Sequence, residues 1–375
     1  MSLPHESIDP DGLLEYSVVF TDHSLNHMSA RFVGVMQETI DILRSTYNAH
    51  SAAVVPGGGT YAMEAVARQL AGGRRCLIVR NGLFSYRWSQ VLQVGRITED
   101  VTVCTARQVG EGAHAPWAPA PVEEVTAAIR AQKPELVFAP HVETASGIVL
   151  SEEYVRALAE ATHAAGGLFV LDCIASGALW VDMVDLGVDL LLTAPQKGWS
   201  GSPCAGHVLF SKDGYQAVQD TETTSFAADL KKWLFIAEEY RAGRAPYHAT
   251  MPTDSLTHNV RMMRETTARG LQGLRMAQID LGARVRDLLA DRGLPSVAAP
   301  SVASPTVVVS YTDDPQIRTG AAFARAGVQV AAGVPLQCGE GEDFSTFRIG
   351  LFGLDKLSDV DGTVERFAAA LDQVA

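Results

Sequence analysis

Apolar and polar positions along the first two thirds of the chain alternate between two periods. Residues 28–47, MSARFVGVMQETIDILRSTY, place apolar side chains every three or four positions, which predicts a helix. SAAVV (51–55) then predicts a short strand, PGGGT (56–60) a turn, and YAMEAVARQLA (61–71) a second helix. The same exchange continues: RCLIV (75–79), DVTVC (100–104), ELVFAP (135–140), GLFVLD (167–172) and DLLLTA (189–194) predict strands. RWSQVLQVG (87–95), VEEVTAAIRAQ (122–132) and SEEYVRALAEATHAAG (151–166) predict the helices between them. Another apolar run, His207–Phe210, follows a Gly/Ser/Pro loop. Strands separated by helices imply an α/β fold with a mostly parallel sheet. Ligands of such folds lie beyond the carboxyl ends of the strands.

After about residue 215 the pattern changes. Helical periodicity covers 225–242, then a long region from roughly 256 to 291. VVVSY (307–311), a helix near 318–326, a strand near 328–331, TFRIGLFG (346–353) and a final helix near 355–374 make a smaller α/β unit. The expected organisation is an N-terminal segment 1–20, a large domain 21–255 and a small C-terminal domain 256–375.

Composition narrows the function classes. The chain has 375 residues, is 47% hydrophobic and carries a formal charge of −13. It can bury a large core, and its acidity argues against a general nucleic-acid role. No apolar stretch approaches a membrane span, and the polar, acidic start MSLPHESIDPDGLLEYS does not read as a secretory signal. Cysteines stand at 76, 104, 173, 204 and 338, widely spaced and without a CxxC pair, so neither a disulfide framework nor a zinc site is expected. No histidine–carboxylate spacing suggests another metal. A cytoplasmic setting fits.

Three short motifs fall where strands end. PGGGT can cradle a phosphate through Gly58, Gly59 and Thr60 at a helix N-terminus, or can be a flexible turn; it is neither GxGxxG nor a P-loop. Asp172 closes GLFVLD, and Lys197 sits in QKGWSGSPCAG between two apolar runs. The pair is 25 residues apart with one strand between, so both can meet at one sheet edge. A lysine can form a Schiff base with an aldehyde, and a carboxylate can keep a pyridine nitrogen protonated. Together these are the needs of pyridoxal phosphate. HVETASG (141–147) and NGLFSYRW (81–88) add polar groups and Phe84, which can stack on a flat ring or join the core.

In their order along the chain, PGGGTYAMEA, NGLFSYR, HVETASG, LDCIAS, QKGWSGSPCAG, PYHAT and FRIGLFG resemble the class V aminotransferases of fold type I, especially the serine–pyruvate and alanine–glyoxylate branch. The resemblance runs from about 20 to 360. It implies that Lys197 carries the cofactor, Asp172 pairs with its ring nitrogen, and Gly58, Gly59, Thr60 and Gln196 hold its phosphate. Phe84 and Ile174 would flank the ring, and Thr144 or Ser146 would reach its hydroxyl, because Ala145 stands where the family often has a small hydroxyl residue. Tyr247 and Thr250 would reach the neighbouring subunit's phosphate, which implies a homodimer with shared active sites. Arg348 would clamp the substrate carboxylate. The family's GP-rich opening is absent; EYSVVFTDHSLNHMS replaces it, and GSPCAG replaces a more proline-rich loop after the lysine.

The expected activity is ping-pong transfer of an amino group from a small donor, such as alanine or serine, to pyruvate or glyoxylate. Two alternatives share the fold. Cys338 on a Gly-rich loop would suit a cysteine desulfurase or related lyase, although Gln196 and Phe84 replace the histidines usual there. An amine lacking an α-carboxylate, such as an aminophosphonate, would suit Arg348 bound to another anion. Arg87, His23 and His27 are further candidate cations. A non-catalytic domain on an old enzyme fold is disfavoured by the joint presence of Lys197, Asp172 and Arg348, and a nicotinamide enzyme by the missing glycine fingerprint.

Overall fold

The structure is a computed structural model that describes residues 8–374; residues 1–7 of the N-terminal segment lie outside the described residues. Residues 8–29 contain no helix or strand. The large sheet has seven strands: β1 Ser51–Pro56, β2 Cys76–Arg80, β3 Val101–Thr105, β4 Leu136–Pro140, β5 Leu168–Asp172, β6 Leu190–Thr193 and β7 Ala205–Phe210. Their order is β1-β7-β6-β5-β4-β2-β3. All neighbouring pairs are parallel except the two made by β7, which runs against both β1 and β6. The loop 194–204 between β6 and β7 explains that reversal. It carries no helix to cross the sheet, so the next strand returns antiparallel beside the one it left. The expected α/β sheet is thus present, with one reversed strand placed by the lysine loop.

Strands β4–β6 are buried along their whole length apart from half-buried Leu168, as a sheet covered on both faces requires. Helices α1 (Ala30–Tyr47), α2 (Gly59–Leu70), α3 (Leu83–Val94), α4 (Val122–Gln132), α5 (Glu152–Ala164) and α6 (Leu230–Arg241) surround it. Trp88 stacks on Phe138 with ring centroids 4.3 Å apart, and Trp199 packs on Trp180 at 4.7 Å, so both tryptophans serve the core.

The helical region after residue 253 is two helices, α7 (Thr253–Ala268) and α8 (Leu271–Ala290). Gly270, at φ 86°, makes the break, a conformation in which other residues pay for their Cβ. Leu256, Val260 and Met263 of α7 join the large-domain core, whereas Leu274, Leu281, Val285 and Leu289 of α8 belong to a second cluster. Gly320, at φ 78°, likewise splits the helix expected near 318–326 into Pro315–Arg318 and Ala321–Arg325. The small sheet is antiparallel, with β8 (Val307–Tyr311), β9 (Ala331–Ala332) and β10 (Thr346–Gly350) in the order β8-β10-β9. A third cluster, in which Val142, Ala145 and Ala175 meet Val307, Val309 and Leu336, joins the two units beside the carboxyl ends of β4 and β5.

Candidate active site

The lysine loop is shaped by small residues. A Cβ on Gly198 would stand 2.3 Å from the Gly177 carbonyl oxygen, so only glycine lets the chain after Lys197 pass that loop. Ser200 then takes the left-handed conformation at φ 56°, and its hydroxyl accepts the Leu354 N–H at 2.8 Å, tying the loop to the small domain. Asn259 accepts the Ser202 N–H at 2.6 Å. Lys197 is half-buried, with Nζ 4.8 Å from the centre of the Phe352 ring. Burial, then the charges of Arg348 and Arg87, push its ammonium below the ordinary lysine range; Asp172 opposes them. An amine with that bias is readier to act as a nucleophile or base.

Asp172 ends β5 and is 8% exposed. Its Oδ1 accepts the Ile174 N–H at 2.9 Å. Burial pushes its carboxyl up to about 7, and the charge of Glu143 adds to that, while the Ile174 N–H, Arg87 and Lys197 pull the other way. Among the described residues it forms no ion pair, and the charges of Arg87 and Lys197 do not offset its burial. Behind it, the His141 N–H donates to the Asp172 carbonyl at 2.8 Å, and His141 Nδ1 lies 2.7 Å from the Ser176 hydroxyl. Burial holds the His141 imidazole down at about 4, so it orients the loop as a neutral ring.

Glycines make the cup at the start of α2. A Cβ on Gly59 would fall 2.4 Å from Ile174 Cδ1, so the glycine is what lets Ile174 close on the cup. Thr60 is exposed, and its hydroxyl accepts from Arg87 Nη1 at 3.1 Å. The buried amide oxygen of Gln196 has no hydrogen-bond partner. Phe84 is half-buried on the first turn of α3. Two guanidiniums lie over its ring, with Cζ of Arg87 at 4.7 Å and of Arg348 at 5.5 Å. Arg348 is set by β10 and donates through Nε to the Ala332 carbonyl at 2.8 Å.

Glu143 is the residue the motif reading passed over. It is 0% exposed, and its carboxylate accepts the Phe84 N–H at 3.2 Å, the Ser85 N–H and Ala145 N–H at 2.9 Å each, and the Ser85 hydroxyl at 2.6 Å. Gly82 at the N-terminus of α3 offers no capping side chain, so a carboxylate from another loop caps the helix instead. A Cβ on Gly82 would lie 2.7 Å from Glu143 Cγ. Its trace in the sequence is an acid inside HVETASG, with nothing there to pair it with Ser85 of NGLFSYR. Thr144 is half-buried beside this clamp. Ser146 is fully buried and its hydroxyl accepts the Ile148 N–H at 3.4 Å, within its own loop.

Two expected groups behave differently. Tyr247 is 56% exposed and its hydroxyl lies 3.2 Å from that of Thr250, also exposed. Neither contacts Lys197 or Asp172 within this chain. Cys338 Sγ lies 3.4 Å from the Arg80 carbonyl, and burial with the charges of Glu143 and Glu340 pushes the thiol up to about 12. A thiol so held is a poor nucleophile.

Residues 13–249 match the family model described as "Aminotransferase class-V". The chain belongs to that family. It is similar to alanine–glyoxylate aminotransferase 1 of Saccharomyces cerevisiae, at 26% identity over 66% of this chain, and to L-aspartate–glyoxylate aminotransferase of Paracoccus denitrificans, at 29% over 60%. Those alignments span 66% and 55% of the two relatives' own lengths, short of two thirds of either. The crystal structure of an alanine–glyoxylate aminotransferase from Nostoc sp. superposes with a TM-score of 0.77, at 23% identity, covering 93% of this chain and 88% of that one. That likeness shows the fold, a fold type I large domain with a smaller C-terminal α/β domain.

The residues present fit pyridoxal phosphate. The cup offers helix N–H groups, Gln196 brings an amide with an unpartnered buried end, Phe84 and Ile174 offer two apolar surfaces, and a buried carboxyl and a depressed amine stand beside them.

Proposed function

We propose that the chain is a pyridoxal-phosphate-dependent aminotransferase that moves an amino group from a small α-amino acid to a small 2-oxo acid, such as pyruvate or glyoxylate, by a ping-pong cycle. The observation that carries this reading is the meeting of the half-buried amine of Lys197 with the buried carboxyl of Asp172 at the end of β5, near enough for each charge to act on the other. The activities named for the yeast and Paracoccus relatives support glyoxylate as an acceptor.

Lys197 would hold the cofactor covalently through Nζ. Gly58, Gly59, Thr60 and Gln196 would hold its phosphate, with Phe84 and Ile174 on its two faces and Thr144 at its hydroxyl. When bound, the cofactor supplies an electron-withdrawing ring that takes up charge from the substrate Cα. Once displaced by the donor's amine, Lys197 would carry the proton from that Cα to the cofactor, and in the opposite direction when the 2-oxo acid takes up the amino group. Asp172 holds a proton on the ring nitrogen, and a cationic N–H there draws its carboxyl back to the charged form. Arg348 presents a planar fork to the substrate carboxylate. Over both halves the amino group and a carbonyl oxygen exchange carriers, so no outside oxidant is needed.

Tyr247 and Thr250 point this reading to a homodimer, because an exposed tyrosine with no task in its own site is suited to a partner's phosphate. The large domain to residue 255 would carry the cofactor, and residues 256–375 would supply Arg348. Five free cysteines fit a cytoplasmic enzyme. The protonated Cys338 thiol favours transamination over the desulfurase alternative.

The test is a half-reaction screen. The cofactor-loaded protein is mixed with single amines, loss of the visible band is followed, and 2-oxo acids are then added to restore it. Donors with an α-carboxylate should react, and Arg348→Ala should slow them far more than it weakens cofactor binding. Reaction only with 2-aminoethylphosphonate or other amines lacking that carboxylate would replace this reading with the aminophosphonate one. Sulfide release from cysteine, lost in Cys338→Ala, would replace it with the desulfurase one.

A further inference from the structure

The amine of Lys197 is met by an aromatic ring of the small domain. Nζ stands 4.8 Å from the centre of the Phe352 ring, and among the described residues it makes no hydrogen bond or ion pair. A lysine ammonium within about 6 Å of a ring centre is attracted by the electron-rich face. Three charged groups also act on Nζ. Arg348 from β10 and Arg87 from α3 disfavour its charge, and Asp172 from β5 favours it.

The ring is fixed on several sides. Phe352 follows β10, half-buried against the cluster that joins the two units. A Cβ on Gly350 would stand 3.3 Å from two of its ring carbons, so the ring edge lies along the bare backbone of that glycine. The Phe352 carbonyl accepts from Lys356 Nζ at 2.9 Å. Gly353, at φ 113°, turns the chain, and the Ser200 hydroxyl of the lysine loop takes the Leu354 N–H. Ring and lysine loop are thus joined twice, at Nζ and at Ser200. Lysine carries its amine on a flexible four-carbon stem, so the ring is the fixed member of the contact and the amine the mobile one.

That contact bears on one stage of the cycle. While Nζ is covalently linked, the bond itself holds it. After the donor's amine displaces it, the amine has to stay within reach of the substrate Cα and remain basic enough to take its proton. Burial and the two guanidiniums oppose the second need. The face of Phe352 serves both, because it gives the amine a resting place and offsets part of the repulsion.

We propose that Phe352 is a positioning residue for proton transfer, its ring face holding the free Nζ of Lys197 beside the substrate Cα. This rests on the aminotransferase reading and gives the small domain a part in the chemistry besides Arg348.

The experiment uses Phe352→Leu, which keeps apolar bulk without the ring, and Phe352→Tyr, which keeps the ring face. In the apoprotein, trace acetylation of Lys197 by acetic anhydride, read by mass spectrometry across a pH series, reports the amine directly. Its titration should move down by about half a pH unit in Phe352→Leu and stay in place in Phe352→Tyr. Half-reactions of the cofactor-loaded protein then use the fastest α-amino acid donor of the screen above, with and without deuterium at Cα. Phe352→Leu should lower kcat by roughly fivefold or more, with KM changed less than about twofold, and the isotope effect should rise. Phe352→Tyr should keep wild-type values of all three. Identical Lys197 titration in wild type and Phe352→Leu would overturn the proposal. So would equal loss of rate in the two variants, or a loss confined to KM, since either makes the ring a packing or substrate-contact group. Failure of every amine to discharge the wild-type cofactor would instead sink the aminotransferase reading.

Discussion

The inner wall of the site and its outer rim are built on opposite terms. On the inner wall, Glu143 gathers four donors, Asp172 sits almost fully buried, a Cβ on Gly198 would strike the Gly177 backbone, and Cβ atoms on Gly82 and Gly59 would crowd Glu143 and Ile174. On the rim, Tyr247 and Thr250 are exposed and their hydroxyls lie within hydrogen-bond distance of each other, next to an N-terminal stretch in which residues 8–29 hold no helix or strand. There His27 is 4% exposed, with an unpartnered Nδ1 and rings of Phe20 and Tyr247 at 5.6 and 5.5 Å. The wall's buried groups are held by partners within one chain, apart from the Gln196 amide oxygen. The rim leaves polar groups exposed, and the proposed homodimer with shared sites would use them.

The largest expected effect is on the wall's chemistry. Asp172→Asn should lower turnover by about 10²–10³-fold, as removal of one preorganised charge does, while leaving the cofactor attached to Lys197. Single-turnover kinetics and the visible spectrum of the same sample check both parts. A variant with wild-type turnover would break the distinction between wall and rim.

Glu143→Gln comes next. The amide replaces one accepting oxygen with a donor facing N–H groups, and a broken buried network of this kind costs about 2–3 kcal/mol. Denaturant melts should show the loss, and the circular dichroism of the bound cofactor should shift because Phe84 is released. Lower stability with an unchanged cofactor signal would make Glu143 a packing residue alone.

The Asp172 carboxyl also gives a pH signature in the apoprotein. Its folded value, about 7, lies above the ordinary carboxylate value of 3.8. Below 3.8 both states hold the proton; as pH rises the unfolded chain releases it first, so this group's contribution to stability falls until the folded carboxyl ionises too. Apo Asp172→Asn should therefore exceed apo wild type in Tm, by a margin larger at pH 8 than at pH 5. An equal margin at both values would show that Asp172 already has a cation. Loading with cofactor should shrink the margin at pH 8.

The smallest effect in one subunit should come from the rim. Tyr247→Phe should change subunit stability by under ~0.5 kcal/mol, in the range of exposed substitutions. It should nonetheless weaken cofactor retention several-fold if the hydroxyl serves a partner. Mixing Lys197→Ala with Tyr247→Phe subunits sharpens this. In a shared arrangement the mixed dimer has one site carrying both defects and one carrying neither, so activity returns. Sedimentation as a fully active monomer would contradict the shared site.

Much of the wall was legible in the sequence, for a physical reason. Its residues sit in short motifs after strand ends, so Asp172, Lys197, Phe84 and Gly59 could be placed near one another from the sequence; their roles toward a cofactor remain part of the proposal. Glu143 was not, because its work is done through backbone N–H groups of α3, about 60 residues away in sequence, and no periodicity records that. The reversal of β7 was legible in principle from the short loop 194–204, but apolar runs carry no direction. The break at Gly270 was hidden by continuous helical periodicity on both sides, since a single glycine is tolerated in helices as well as between them. Arg87 could be named as a candidate cation, but only its placement over Phe84 beside Arg348 shows what it faces.

The most direct measurement is chemical. The apoprotein is reconstituted with pyridoxal phosphate, reduced with borohydride, digested and mapped by mass spectrometry. The expected result is one stoichiometric adduct, on Lys197, absent from Lys197→Ala. An adduct on another lysine, or no adduct from a folded protein, would contradict the assignment of the site.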